Sequence, residues 1–243
     1  MHVEYVQQLV TQDQHSTRCE IYLTSARASY IVAESVANSY DSSNALCSVG
    51  TSQFMRDCMS TITKLTGAEF DAMVQRGAFD CIGPKKVELI HGELRFMNPA
   101  SPIHDDLIDY LTRWSVRATE KDAANVRVQC GFLCDDHRPE PDILWLKPRR
   151  YGRVRPTAQD VLLLIEVADS SLKSDLGEKG DIYAAAGVLE YWVVDVNSAR
   201  IHVMFQSDGQ TFRKIEIVVA PSPLSPRCLP TAILDTRELF EVL

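Results

Sequence analysis

Three charged residues in the second half of the chain have the types and spacing that phosphodiester chemistry requires. Asp142 opens a short apolar run, Glu166 interrupts the apolar run that starts at Val161, and Lys179 lies in a segment with helical spacing. Carboxylate oxygens are ligands that Mg²⁺ prefers, and a bound metal activates water while an ammonium stabilises developing charge. The set predicts a metal-dependent hydrolytic site in which Asp142 and Glu166 bind the metal.

Each of these residues alone also fits a structural role. A carboxylate within apolar sequence is costly unless it is paired, but Glu166 also fits a strand that leaves the core for solvent. Asp142 fits a turn or a solvent-facing strand start. Lys179 fits a side chain that reaches from an apolar helix face to water. The prediction therefore depends on the combination of the three residues.

Apolar periodicity and turn residues predict the elements that would position this set. The predicted helices are a capped helix from Thr66, a helix opened by Ser101-Pro102, a helix at about 175–186 and a short helix from Asp235 or Thr236. The predicted strands lie at 126–134, 142–146, 161–167 and 191–196. Two hairpins are predicted, one at 87–97 that turns at His91-Gly92 and one at 201–219. This order predicts an α/β fold with a mixed sheet flanked by helices and extra antiparallel hairpins.

The first part of the chain differs in composition from the rest. Residues 1–64 are rich in Ser, Thr, Ala and Gln and have weak apolar periodicity, so we expect a poorly ordered or loosely docked extension. Residues 65–243 are expected to form the domain that carries the site. No apolar run approaches the roughly 18–20 residues of a membrane span. The absence of a secretory signal and the scattered cysteines favour a cytoplasmic protein.

Charge argues against a broad DNA-binding face. The formal net charge is −8, whereas phosphate neutralisation by basic residues normally supplies most non-specific affinity for DNA. One basic cluster is nevertheless present between Lys147 and Arg155, with arginines at 149, 150 and 153. A local basic surface beside an acidic metal site remains compatible with a nuclease.

Three segments resemble the Uma-type restriction-endonuclease family, which belongs to the PD-(D/E)XK nuclease superfamily. They read VELIHGELRFMNPASPIHDDLIDYL, RPEPDILWL and DVLLLIEVADSSLKSDLGEKGDIYAAAGVLEYWVVDV. The resemblance covers roughly residues 66–243. It implies a restriction-endonuclease-like sheet core, with Asp142 as the aspartate of the first motif and Glu166 as the acid of the second.

The lysine departs from the plain superfamily pattern. That pattern has a lysine two residues after the second acid, where this chain has Ala168. The resemblance implies that the lysine lies instead on the following helix, where Lys179 matches it. Lys173 is the alternative, because it lies on a loop nearer to Glu166.

The resemblance adds further expectations. Glu93 and His104 match positions that the family tends to keep, so they join the candidate catalytic residues, although Glu93 also fits a surface salt bridge and His104 also fits a capping or core role. The implied activity is Mg²⁺- or Mn²⁺-dependent hydrolysis of DNA by a homodimer. A catalytically silent binding or assembly module with the same fold is the alternative.

Overall fold

Two sheets form the framework of the described residues. The computed structural model describes residues 63–80, 86–97, 99–120 and 123–243, so the predicted N-terminal extension lies almost entirely outside them. The strands are β1 Val87–Ile90, β2 Glu93–Phe96, β3 Asn125–Val128, β4 Ile143–Leu146, β5 Val161–Ala168, β6 Glu190–Asp195, β7 Arg200–Ser207 and β8 Phe212–Val219. The helices are α1 Gly67–Gln75, α2 Pro102–Ala118, α3 Leu172–Ser174, α4 Gly180–Ala185 and α5 Thr236–Leu239.

The larger sheet has six strands in the order β3-β4-β5-β6-β7-β8. Only β5 and β6 are parallel; the other neighbours are antiparallel. The parallel pair is joined by the helical segment 172–185, since parallel strands need a crossover connection. The predicted mixed sheet flanked by helices is confirmed.

Side chains alternate between the two faces of this sheet, and each face has its own core. On one face, Leu164 and Ala168 of β5 pack with Ile182 and Tyr183 of α4. On the other face, the apolar stripe of α2 packs on the sheet around two central tryptophans, Trp145 and Trp192. Strand β5 is therefore covered on both sides, and Glu166 shares the parity of Leu164 and Ala168 on the α4 face.

The helix caps follow the sequence closely. Thr66 forms a capping box with Glu69 at the start of α1. Ser101 accepts a hydrogen bond from the His104 backbone N–H at the start of α2, with Pro102 as the first helical residue. Asp235 caps α5. All three helix starts were predicted within a residue or two.

Ser101 also links α2 to the end of β5. Its Oγ donates a hydrogen bond to Asp169 Oδ2 at 2.8 Å, as well as capping α2. We expect Ser101→Ala to lower the free energy of unfolding by about 1 kcal/mol or more, because the cap and a tertiary hydrogen bond are removed together. Urea denaturation measures this change. Ser101→Thr, which keeps the hydroxyl, is the matched control. Equal stability of Ser101→Ala and Ser101→Thr would contradict the stabilising role of the Ser101 hydroxyl.

Two predicted elements were wrong in extent. The predicted strand at 126–134 ends at Val128, because Gln129 has a φ of 48° and leaves the extended conformation. The predicted helix at about 175–186 starts earlier, at Leu172, and contains a π-helical turn over Asp175–Lys179 before α4.

The hairpin of β1 and β2 is a separate sheet. Its register pairs Glu88 with Arg95 and Ile90 with Glu93, as the His91-Gly92 turn predicted. Backbone hydrogen bonds between Leu89 and Arg138 tie β1 to the segment before β4. All four residues of β1 are buried, so both faces of this strand are covered. Among the described residues, no helix has the length and apolar character to cross a bilayer.

Candidate active site

Asp142 and Glu166 lie beside each other on adjacent antiparallel strands. Ile143 of β4 pairs with Ile165 of β5, and the two acids are the next residues along each strand. The Asp142 N–H donates a hydrogen bond to Glu166 Oε2 at 3.2 Å, and the N–H of the neighbouring Val167 donates to Asp142 Oδ2 at 2.9 Å. The strand register therefore places both carboxylates at one point on the α4 face.

Lys179 reaches the same point from the π-helical turn. Its Nζ lies 3.0 Å from Glu166 Oε1, 3.3 Å from Glu88 Oε1 and 4.0 Å from Asp175 Oδ1. The lysine is buried, with only 6% of its surface exposed. The predicted helix-face placement therefore brings Lys179 to Glu166, whereas Lys173 is exposed.

His104 holds the other acid from the start of α2. Its Nε2 lies 3.4 Å from Asp142 Oδ2, and its Nδ1 is buried without a hydrogen-bond partner among the described residues. Lys86 lies near the other carboxylate oxygen, with Nζ 3.7 Å from Asp142 Oδ1. Asp142 is thus flanked by two basic side chains, of which only His104 was a predicted site residue.

Glu93 lies apart from this cluster. Its side chain is 57% exposed and makes a 3.9 Å ion pair with Lys64. The hairpin acid that lies beside Lys179 is Glu88, and only 1% of its surface is exposed. Glu88 Oε1 also accepts a hydrogen bond from the Glu140 N–H at 2.8 Å. Of the two glutamates on this hairpin, the structure brings Glu88 and not Glu93 to Lys179.

Burial and neighbouring charges shift the pKa values of Glu166 and Asp142 in opposite directions. Burial raises the pKa of Glu166 to about 8, which the Lys179 ammonium only partly opposes. Burial also acts to raise the pKa of Asp142, but His104, Lys86 and the Val167 N–H together bring it below its usual range. Without a metal, the surroundings therefore favour the ionised form of Asp142 more strongly than that of Glu166.

The same charges act on Lys179 and His104. Burial acts to lower the Lys179 pKa, but Glu166, Glu88 and Asp175 outweigh it and raise the pKa above its usual value. The hydrogen bond with Asp142 raises the pKa of His104. Both basic groups are therefore stabilised in their charged forms by the acids that they contact.

Tyr183 completes the contacts of Glu166. Its hydroxyl donates to Glu166 Oε1 at 3.0 Å, and its ring is fully buried against Tyr191 and Phe132. Tyr183 thus combines a fully buried core position with a hydrogen bond to a candidate site residue.

An open cavity of about 510 Å³ reaches the cluster. Asp142, Glu166, His104, Lys86 and Lys179 all line it. Asp142 Oδ1 accepts no hydrogen bond from any described residue. The cavity therefore gives a solvent-borne ligand access to a carboxylate oxygen that has an unused acceptor site.

The donor set fits a hard divalent cation held by few protein ligands. In the described part of the chain, no three His, Cys, Asp or Glu side chains are arranged around one metal position. Mg²⁺ is commonly bound through one or two carboxylates, with water and substrate phosphates in the remaining positions. Asp142 and Glu166 meet that requirement, and the open cavity leaves room for the other ligands.

Comparisons with known proteins give the family of this chain and confirm its α/β fold. The chain belongs to the Uma2 family, described as "Putative restriction endonuclease", which matches residues 80–237. This match confirms the resemblance found in the sequence. The predicted domain boundary at residue 65 lies outside the matched range and stays a prediction.

A solved structure shares the fold. The chain is similar to "a putative nuclease belonging to DUF820" from Anabaena variabilis, with a TM-score of 0.59 and 16% sequence identity. The alignment covers 73% of this chain and 98% of that one. At this identity the similarity establishes the fold alone. No curated protein matches the chain significantly.

Sequence reasoning missed Glu88, Asp175 and Lys86. Glu88 carried a usable signal, because it is an acid inside a short apolar run, as Glu166 is. Asp175 lies four residues before Lys179, a spacing that places two side chains on one helical face. Nothing in the local sequence distinguishes Lys86 from Lys85 beside it.

Proposed function

We propose that this protein is a metal-dependent nuclease that hydrolyses DNA phosphodiester bonds. The observation that carries the proposal is the convergence of Asp142, Glu166 and Lys179 at one open cavity, with Lys179 Nζ 3.0 Å from Glu166. Membership of the family described as "Putative restriction endonuclease" and a fold shared with "a putative nuclease" support the same class of activity.

Asp142 and Glu166 would hold the cation, which is Mg²⁺ or Mn²⁺. When bound, such a cation supplies Lewis acidity and lowers the pKa of a coordinated water. The carboxylates lie on adjacent strands of a buried sheet, so the backbone fixes their relative position. His104 and the Val167 N–H contact Asp142 through Oδ2, and Oδ1 accepts no hydrogen bond from a described residue although Lys86 Nζ lies 3.7 Å from it.

Lys179 supplies the fixed positive charge. Its contacts with Glu88 and Asp175 hold the ammonium beside Glu166, where it can stabilise the charge that develops on a scissile phosphate. In this mechanism Glu88 is a positioning residue, because it acts through Lys179. Glu93, which is exposed and paired with Lys64, has no role in the mechanism.

The proposal is tested by cleavage of supercoiled plasmid and single-stranded DNA with Mg²⁺ or Mn²⁺. We expect Asp142→Ala and Lys179→Ala each to reduce cleavage at least about 100-fold, since each removes a group that acts on the reacting phosphate. Lys173→Ala is the matched lysine control, because that side chain is exposed. Cleavage that survives both site substitutions would rule out this mechanism.

A silent binding or assembly module is the second candidate. The saturated contacts of Glu166, whose two oxygens accept from Lys179, Tyr183 and the Asp142 N–H, favour it, because the site is internally paired without a metal. Calorimetric titration with Mg²⁺ and Mn²⁺ separates the candidates. A nuclease binds the cation, whereas a module of this kind does not.

We also propose a homodimer, which the sequence resemblance implies. Leu239 and Phe240 are buried on the domain itself, whereas Val242 and Leu243 at the C-terminal end are exposed. Light scattering coupled to size-exclusion chromatography tests the assembly. A mass near the 27.3 kDa of one chain would count against it.

A further inference from the structure

Basic side chains collect at one edge of the large sheet. Arg127 lies on the edge strand β3, and the connection from β4 to β5 carries Lys147, Arg149, Arg150, Arg153 and Arg155. We name these six residues the β3-edge basic surface. They stand out in a chain whose formal net charge is −8. A local concentration of cations on an acidic protein indicates a binding surface for a polyanion.

The connection that carries these residues is fixed in place. The ring of the buried Tyr151 contacts two guanidinium groups: its centroid lies 5.1 Å from that of Arg127 and 4.6 Å from that of Arg149. The Tyr151 hydroxyl donates to the Lys147 carbonyl, and the Asn125 side-chain amide donates to the Arg149 carbonyl. The basic side chains are therefore presented from an ordered backbone, which lowers the entropic cost of binding.

Most of the positive charge on this surface is not neutralised by the protein. Arg149 contacts both Asp160 carboxylate oxygens, and Arg155 Nε lies 3.8 Å from Asp71 Oδ1. The other four members, Arg127, Lys147, Arg150 and Arg153, form no ion pair with any described residue. Three of these four are exposed, and Arg127 is partly exposed.

The β3-edge basic surface adjoins the candidate active site. Gln129 is exposed and lines two cavities: the one that contains Asp142 and Glu166, and a neighbouring one of about 390 Å³ lined by Arg127, Arg153 and Arg155. The Gln129 N–H also donates to the Asp142 carbonyl at 2.9 Å. A chain of phosphates bound along this surface would reach the metal-binding carboxylates directly past Gln129.

We infer that the β3-edge basic surface binds the phosphate backbone of DNA and leads it past Gln129 to Asp142 and Glu166. The inference deepens the proposed nuclease function and rests on it. Guanidinium groups match phosphate oxygens through paired hydrogen bonds, and repeated phosphates match a row of spaced cations. The acidic remainder of the chain disfavours DNA elsewhere, so the surface also sets the side from which substrate enters.

The test measures binding without cleavage. Fluorescence anisotropy of labelled duplex and single-stranded DNA is recorded in EDTA over a range of salt concentrations. The test variant is Arg150→Gln/Arg153→Gln. The matched control is Arg213→Gln/Lys214→Gln, which removes the same charge from exposed residues of β8, at the opposite edge of the same sheet.

We expect the Arg150/Arg153 variant to bind DNA at least about tenfold more weakly. The slope of log K against log salt should become shallower by about 0.7–0.9 for each phosphate that the variant no longer neutralises. The control variant should bind as the unmodified protein does. Equal weakening of DNA binding in both variants, or unchanged binding in both, would overturn the inference that the β3-edge basic surface binds DNA. Equally effective competition by polyglutamate of matched charge would also overturn the assignment to nucleic acid.

The result of this binding test can be distinguished from the result of the cleavage test of the proposed nuclease activity. DNA binding that depends on Arg150 and Arg153, in a protein that cleaves no DNA with Mg²⁺ or Mn²⁺, supports the surface and overturns the nuclease activity. Cleavage of DNA, together with an unchanged DNA affinity and salt slope in the Arg150/Arg153 variant, supports the nuclease activity and overturns the inference that this surface binds DNA.

Discussion

Substitution of Lys179 by methionine is expected to lower the free energy of unfolding by about 3–5 kcal/mol, the usual cost of removing one partner from a buried ionic group. The Lys179 ammonium contacts Glu88, Glu166 and Asp175, which are all at most 3% exposed. Methionine keeps most of the length and volume of the side chain but leaves three buried acids without their shared cation. Urea or thermal unfolding of the metal-free protein measures the change.

A second substitution makes this prediction specific. Glu88→Gln in the Lys179→Met background should recover part of the lost stability, because it removes one of the acids that the lysine had neutralised. In the unmodified protein the same Glu88→Gln change should be destabilising. Lys173→Met is the matched control and should change stability by less than about 0.5 kcal/mol, since that lysine is exposed. A double-mutant cycle with no coupling between Glu88 and Lys179 would contradict the assigned network.

Substitution of Asp142 by asparagine is expected to weaken Mg²⁺ and Mn²⁺ binding at least about 100-fold. The carboxylate is one of only two candidate metal ligands, and an amide carries no charge to offset a divalent cation. Asparagine retains the shape of the side chain and an oxygen that can accept the Val167 N–H. Loss of metal binding would therefore be separable from loss of the fold.

Calorimetric titration of both cations measures this effect, with unfolding curves as the check on folding. Glu93→Gln is the matched control, because Glu93 is exposed and paired with Lys64 on the hairpin. Unchanged cation affinity in Asp142→Asn would contradict the role of Asp142, and equal weakening in Glu93→Gln would show that the effect is not local.

The sequence predicted the central residues because their positions depend on local periodicity. Asp142 and Glu166 sit at corresponding ends of two short apolar runs, and antiparallel pairing of those runs places them side by side. Lys179 shares a helical face with Ile182 and Tyr183, so the packing of α4 on the sheet carries the lysine toward Glu166. Strand parity accounts for the pairing of the two acids, whereas the choice of Lys179 also depended on the family resemblance.

The rest of the network depends on contacts between distant segments. The parity of the hairpin placed Glu88 correctly opposite Arg95, but it could not show that this side of β1 is covered by the segment around Glu140. Glu93 was named from the family resemblance alone, which carried no information on the burial of Glu88. Burial of a strand on both faces removes the alternation that distinguishes core from surface positions.

Backbone irregularities were also invisible in the sequence. The alternating pattern after Val128 continues to suit a strand, yet Gln129 adopts a positive φ and ends β3 beside Asp142. The π-helical turn that positions Asp175 and Lys179 has no signature in residue type or spacing. Both irregularities lie next to candidate site residues, which is where such departures are often found.

The central claim is that Asp142 and Glu166 bind a divalent cation beside Lys179. The most direct measurement is the anomalous difference density of a crystal of the full chain soaked in Mn²⁺, with a crystal of Asp142→Asn soaked in parallel. We predict a peak at the Asp142 and Glu166 carboxylates of the unmodified protein and none in the variant. A crystal at saturating Mn²⁺ with no peak at these carboxylates, or with an equal peak in both proteins, would contradict the claim.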